Sequence, residues 1–135
     1  MVAPGIFDDA SMVATVVRVR DVAASVRWYR EKLGLAPIHV GADGPDHPIA
    51  TYAIAGSVMT LWQLPSGQAR AAEDNDRNTY VVVVMKDDLG PARQALIEKG
   101  VEVGEVGEVQ RSANNEFVWF HDPDGNRFEL SRPLR

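Results

Sequence analysis

The order of apolar and polar positions along this chain is written twice. Val13 to Val19 is an apolar, β-branched run and reads as a strand. Asp21 then stands as a helix N-cap, and Val22, Val26, Tyr29 and Leu33 recur at helical spacing, giving one apolar face that Gly34 ends. Three short strands are predicted near 36–41, 48–54 and 57–63, the last two joined through Ala55-Gly56-Ser57. The pattern restarts at Tyr80 to Met85, which contains four consecutive valines. Asp88 is expected to cap a second helix, with Leu89, Ala92 and Leu96 on one face and Gly100 at its end. Strands are predicted near 101–108, 115–120 and 126–131.

The chain is therefore a βαβββ unit in two copies, with Asp21 matching Asp87 or Asp88 and Gly34 matching Gly100. Each unit alone leaves one sheet face uncovered, so an α+β fold follows, in which two four-stranded sheets, each backed by a helix, curl around a shared cleft. All 135 residues form one domain: a first module over about 12–64, a linker over about 65–78 and a second module over about 79–133. Residues 1–11 read as a loose arm. The stretch from Pro65 to Asn78, rich in Gly, Ala, Asp, Asn and Arg, reads as a plain linker, with a lid over the cleft as the alternative.

Composition narrows the chemistry. There is no cysteine, which removes disulfides, thiolate metal sites and a cysteine nucleophile. The net charge is −5 and no basic patch is visible, so a nucleic-acid partner is not expected. No apolar run approaches the roughly 20 residues that span a bilayer, and the N-terminus lacks the charged and apolar regions of a secretory signal. The expectation is a cytoplasmic protein without a membrane partner.

The densest motif is His121-Asp122-Pro123-Asp124-Gly125-Asn126-Arg127-Phe128-Glu129-Leu130. Asp-Pro-Asp-Gly-Asn is a tight-turn sequence, flanked by Val118-Trp119-Phe120 and Phe128-Glu129-Leu130, so the segment reads as a β-hairpin. If Phe128 and Leu130 face the core, alternation turns Glu129 to the opposite face. A carboxylate on a rigid strand can be a metal ligand, a general base or an ordinary exposed residue.

These motifs together resemble the vicinal oxygen chelate superfamily, which includes glyoxalase I, the bleomycin-resistance proteins and the extradiol dioxygenases. The resemblance is carried by Val17-Arg18-Val19-Arg20-Asp21, by Trp28-Tyr29 with Leu33-Gly34-Leu35, by Asp87-Asp88-Leu89 with Leu96-Ile97-Glu98-Lys99-Gly100-Val101, and by the Phe120 to Leu130 hairpin. It spans Met12 to Pro133. The resemblance implies a divalent metal held by His or Glu from equivalent strands of both modules, acting as a Lewis acid on substrate oxygens. Carried over position by position, the family's ligands fall on Ala14, Thr60, Val81 and Glu129. Only Glu129 is competent, because alanine and valine offer no donor and a threonine hydroxyl is a poor one. No metal or other cofactor is therefore expected.

Alternation from Glu129 assigns the cleft side of the strands: Ala14, Val16 and Arg18 on the first, Val58, Thr60 and Trp62 on the fourth, Val81, Val83 and Met85 on the fifth, and Phe117 and Trp119 on the seventh. The expected ligand-binding set is Arg18, Thr60, Trp62, Val83, Phe117, Trp119 and Glu129. Trp62 and Trp119, at corresponding places in the two modules, would sandwich a planar ligand. Arg18 would meet a substrate carboxylate or pair with Glu129, the one candidate catalytic residue, as proton donor or base. The histidines His39, His47 and His121 read as surface or turn residues, with His39 the one a cleft-facing strand would bring inward.

Three readings follow. The first is a metal-free protein like the bleomycin-resistance members, binding a small aromatic molecule. The second is a glyoxalase-like lyase or isomerase with a rearranged metal site, and the third a metal-independent enzyme using Glu129 for acid/base chemistry. A homodimer is expected, as the resemblance implies.

Overall fold

In a computed structural model, residues 5–65, 80–110 and 114–134 are described, with the backbone alone for 108–110 and 114. The linker or lid read at 65–78 falls, beyond Pro65, outside the described residues. The first module runs β1 (Ala14–Val19), α1 (Val22–Trp28), β2 (His39–Ala42), β3 (Pro48–Ile54) and β4 (Ser57–Gln63). The second runs β5 (Val81–Val84), α2 (Gly90–Glu98), β6 (Gly107–Gln110), β7 (Asn114–His121) and β8 (Arg127–Pro133). Two mixed sheets result, ordered β1-β4-β3-β2 and β5-β8-β7-β6, each with one parallel pair between its first and last strands in sequence. The duplicated α+β architecture expected from the pattern is present.

Asp21 caps α1, its side chain accepting from Ala24 N at 3.1 Å. The helix continues as a π turn over Tyr29–Leu33 and stops at Gly34, which is left-handed at φ 67°. Gly100 ends the second helix in the same way at φ 80°. The second cap differs from expectation. Asp88 accepts from Gly90 N at 2.8 Å and so makes a turn before the helix, while Leu89 holds the cap position and is fully buried. The predicted strand at 101–108 also shrinks. Val103 makes one bridge to Phe120, and the ladder proper begins at Gly107.

Alternation along each strand sends one set of side chains toward the helices. Val17, Val19, Met59, Leu61, Ala50 and Tyr52 from the first sheet join Val22 and Tyr29 of α1, Leu96 of α2, and Phe120 and Phe128 of the second sheet in one buried cluster. The helix side of both sheets is thus a common core. The opposite faces are left to do something else.

Candidate functional site

Strand register assigns those opposite faces residue by residue. In the first sheet Val16, Thr60, Thr51 and His39 form one cross-strand row, with Ala14 and Val58 on one side of it and Arg18, Trp62 and Ile49 on the other. In the second sheet Val82, Glu129 and Trp119 form a row, flanked by Val84, Ser131 and Phe117 and by Arg127 and His121. The structure therefore puts Ala14, Arg18, Thr60 and Trp62 on one face and Glu129, Trp119 and Phe117 on another.

Val81 and Val83 are a correction. Their ladder partners are Phe128 and Leu130, so both point to the helix side, and Val82 and Val84 take the outer face. The miss has a local cause. Asp88 is displaced into the turn before α2, and the true equivalent of Asp21 is Asp87. Counting back from Asp87 places Tyr80, not Val81, opposite Ala14. A one-residue slip inverts every side chain of a strand. The register also separates the two tryptophans. Trp62 is equivalent to Ser131, and Trp119 is equivalent to Thr51. They do not sit at corresponding places.

The second module gathers polar groups around Glu129. Its side chain is 2 % exposed, and Arg127 Nη2 lies 3.5 Å from Glu129 Oε2. Period-two alternation puts these residues on one face. The Arg127 guanidinium also lies 5.3 Å from the Tyr80 ring centroid and 5.8 Å from that of Trp119. His121 meets Trp119 edge-on at 5.5 Å. Glycine sets these rings: a Cβ on Gly104 would collide with the Trp119 indole, and one on Gly107 would come within 2.9 Å of the Phe117 ring.

The first module is built differently. Trp62 is stacked with His47, ring centroids 4.2 Å apart, and Arg18 lies over the indole at 5.4 Å. Trp62 Nε1 donates to Asp43 at 3.3 Å. Arg127 lies beside Glu129, whereas Arg18, read as meeting a substrate carboxylate or pairing with Glu129, lies over Trp62. Thr60 meets the Thr51 hydroxyl at 3.2 Å. His39 is on this face but on the edge strand, exposed and lying against Gly41. The expected ligand-binding set left out Arg127, Tyr80 and His47, the last read as a surface or turn histidine. Arg127 was legible as the neighbour two before Glu129; the other two needed the true register and the fold of the loop.

The Asp122 turn proves to be a clasp between modules. Tyr29 of the first module donates its hydroxyl to Asp122 Oδ2 at 2.7 Å. Asp122 also accepts from Asn126 Nδ2 at 3.0 Å and from the backbone N–H groups of Asp124 and Asn126, both at 2.9 Å. Asn126 Nδ2 reaches Arg18 O at 2.9 Å, and Arg20 pairs with Asp124 at 2.8 Å. Burial raises the Asp122 carboxyl from its usual range, against the opposing pull of its hydrogen bonds from Asn126 and Tyr29. Burial, and then the Asp122 charge, raise the Tyr29 phenol well above its usual value.

These donors do not fit the superfamily's divalent ion. Ala14 carries no ligand atom, Thr60 a neutral hydroxyl and Tyr80 a phenol, while Glu129 already has a guanidinium beside it. Among the described residues no group of three His, Cys, Asp or Glu side chains comes together.

A family model described as glyoxalase/bleomycin resistance protein/dioxygenase superfamily matches residues 11–130. No curated protein matches the chain. Among solved structures, SMU.1112c superposes with a TM-score of 0.74 at 18% identity, covering 90% of this chain and 97% of its own. A glyoxalase family protein from Enterococcus faecalis gives 0.70 at 18%, covering 94% and 99%. The fosfomycin resistance protein FosX from Listeria monocytogenes, complexed with Mn(II) and sulfate, gives 0.65 at 14%, covering 93% and 91%. The chain belongs to the glyoxalase/bleomycin resistance protein/dioxygenase superfamily.

Proposed function

We propose that this superfamily member binds a small aromatic molecule in its cleft without a metal. The observation that carries the reading is the Glu129–Arg127 pair set among Tyr80 and Trp119. Aromatic walls supply contact area, and a buried ion pair supplies directional polar contacts, which is how small-molecule sites combine affinity with orientation. Arg18 over Trp62 offers a second cation–ring surface. A guanidinium 3.5 Å from the one carboxylate at a family ligand position occupies the electrostatic role a metal would take.

A second copy of the chain belongs to the same reading. β1 and β5 each form one edge of their sheet. Val16 and Val84 on them are 56 % and 64 % exposed, and Val13 beside β1 is 79 % exposed. Apolar edges of this kind are covered by pairing. A homodimer would bring outer faces of two chains together.

A further use of the same pair is acid/base catalysis by Glu129, held rigidly on a central strand. The Glu129→Gln variant separates the two: a binding protein keeps its ligand with modestly altered affinity, whereas turnover of any substrate collapses. The primary test is elemental analysis of the purified protein together with tryptophan fluorescence against a panel of aromatic compounds. Substoichiometric metal and saturable quenching are expected. About one transition metal per chain, lost in Glu129→Ala, overturns the metal-free reading.

A further inference from the structure

We infer a second ligand site, on the opposite side of the second sheet from Glu129, that takes an amphipathic carboxylate. A half-open cavity of about 320 Å³ lies between α2 and the helix side of β5 and β8. That size falls within the range of small-molecule pockets. Val83 and Leu130 line it, with Phe120 and Phe128, and each points away from the Glu129 face.

Its origin is visible in the repeat. Burial falls on Leu89 and Leu96 of the second helix as it does on Val22 and Tyr29 of the first, and Val101 N donates to Leu96 O as Leu35 N does to Tyr29 O, so Leu96 stands where the first module has Tyr29. Tyr29 is fully buried and fills the floor of its own sheet. The second helix brings the smaller Leu96 to that place, and Ala92 and Ala95 beside it both line the cavity. These smaller side chains leave apolar wall without partner atoms, a state that an apolar ligand body relieves.

The mouth has one sign of charge. Lys32 donates to Lys99 O at 2.6 Å. Both lysines line the cavity and reach solvent, and no carboxylate lines it. Neither lysine has a carboxylate partner among the described residues. In a chain of net charge −5, two cations at the rim of an apolar hole select an anionic head on an apolar body.

The experiment is calorimetric titration of the full chain with decanoate and with decanol, below their aggregation thresholds. One decanoate per chain is expected, about tenfold tighter than decanol. Ala95→Phe should abolish binding while circular dichroism stays unchanged. Should that variant fail to fold, Ala92→Val should weaken decanoate at least several-fold. Lys32→Gln with Lys99→Gln should level decanoate with decanol, and Lys86→Gln, an exposed lysine outside the cavity, should change nothing. Equal affinity for both probes, many decanoates per chain, or binding unaffected by Ala95→Phe and Ala92→Val would each overturn the proposal. So would absence of binding in a dimer that covers this face.

Discussion

The two modules share one topology and differ in both of their faces. On the helix side the first module is filled: Tyr29 is fully buried against Tyr52 and Phe128, ring centroids 5.6 and 5.9 Å away. The second module has the smaller Leu96 at the equivalent place and a cavity beneath its helix. On the outer face the order reverses. The first module has Ala14, Val16 and Thr60 where the second has Tyr80, Val82 and Glu129. A duplicated fold has thus divided its labour. One copy anchors the core, and the other concentrates charge and aromatic surface in positions that the common backbone holds equally well in both.

The sharpest way to break this comparison is at Tyr29. Tyr29→Ala removes a fully buried ring from a core that cannot close over it, and should cost about 3–5 kcal/mol in chemical denaturation. The second module holds the smaller Leu96 there, so a loss below about 1 kcal/mol would show that the two helix floors are equivalent after all. Tyr29 also gives a pH signature. Its folded pKa lies above the unfolded value near 10, as does that of Tyr52. Above pH about 10 the unfolded chain therefore loses protons that the native state keeps, and stability must fall as pH rises. Phenolate absorbance from these two residues should appear together with unfolding.

Asp122 tests whether the clasp belongs to both modules. Asp122→Ala strands the Tyr29 hydroxyl, the Asn126 amide and two backbone donors, and should cost about 2–4 kcal/mol. Because burial raises its folded pKa, the native state takes up a proton at a higher pH than the unfolded chain does. The raised value makes Asp122 a net stabiliser only as pH falls through that interval, and the contribution is lost as pH rises past the folded pKa. The stability of the wild type relative to Asp122→Asn should thus improve as the solution is acidified. A gap that narrows instead would mean that the carboxyl is held ionised.

Much of this was legible in the sequence, for physical reasons. Element order came through because apolar periodicity and the glycines at 34 and 100 are local signals. The outer face of β1, β4, β7 and β8 came through because alternation extends from Glu129 across firmly predicted strands. The fifth strand did not. Five apolar residues in a row, Val81 to Met85, contain no alternation, so only the position of the next aspartate set the phase, and Asp87 and Asp88 stand side by side. The role of the Asp122 turn was hidden for another reason. Its partners Tyr29, Arg18 and Arg20 lie about a hundred residues away, and nothing local announces them.

Glu129→Gln sharpens the outer-face half of the comparison. The substitution leaves the Arg127 guanidinium without its ionised neighbour in a mostly buried place, and should cost about 1–3 kcal/mol. The loss should shrink when Arg127→Met is made first, in a double-mutant cycle. Additive losses would show that the ion pair contributes nothing.

Thr60→Val is the matching change in the first module and the smallest. Thr60 and Glu129 occupy equivalent rows, each at the centre of its sheet. Thr60 has one hydroxyl contact on this face, to Thr51 at 3.2 Å, and valine keeps its shape and its β-branched fit to the strand. The loss should be about 0.5 kcal/mol, because Thr51 can turn its hydroxyl to solvent across a half-buried surface. Ligand affinity should stay within about twofold if the second module does the recognition. An affinity loss as large as that of Glu129→Gln would place the ligand across both outer faces at once, which two faces turned from a common core can achieve only when a second chain supplies one of them.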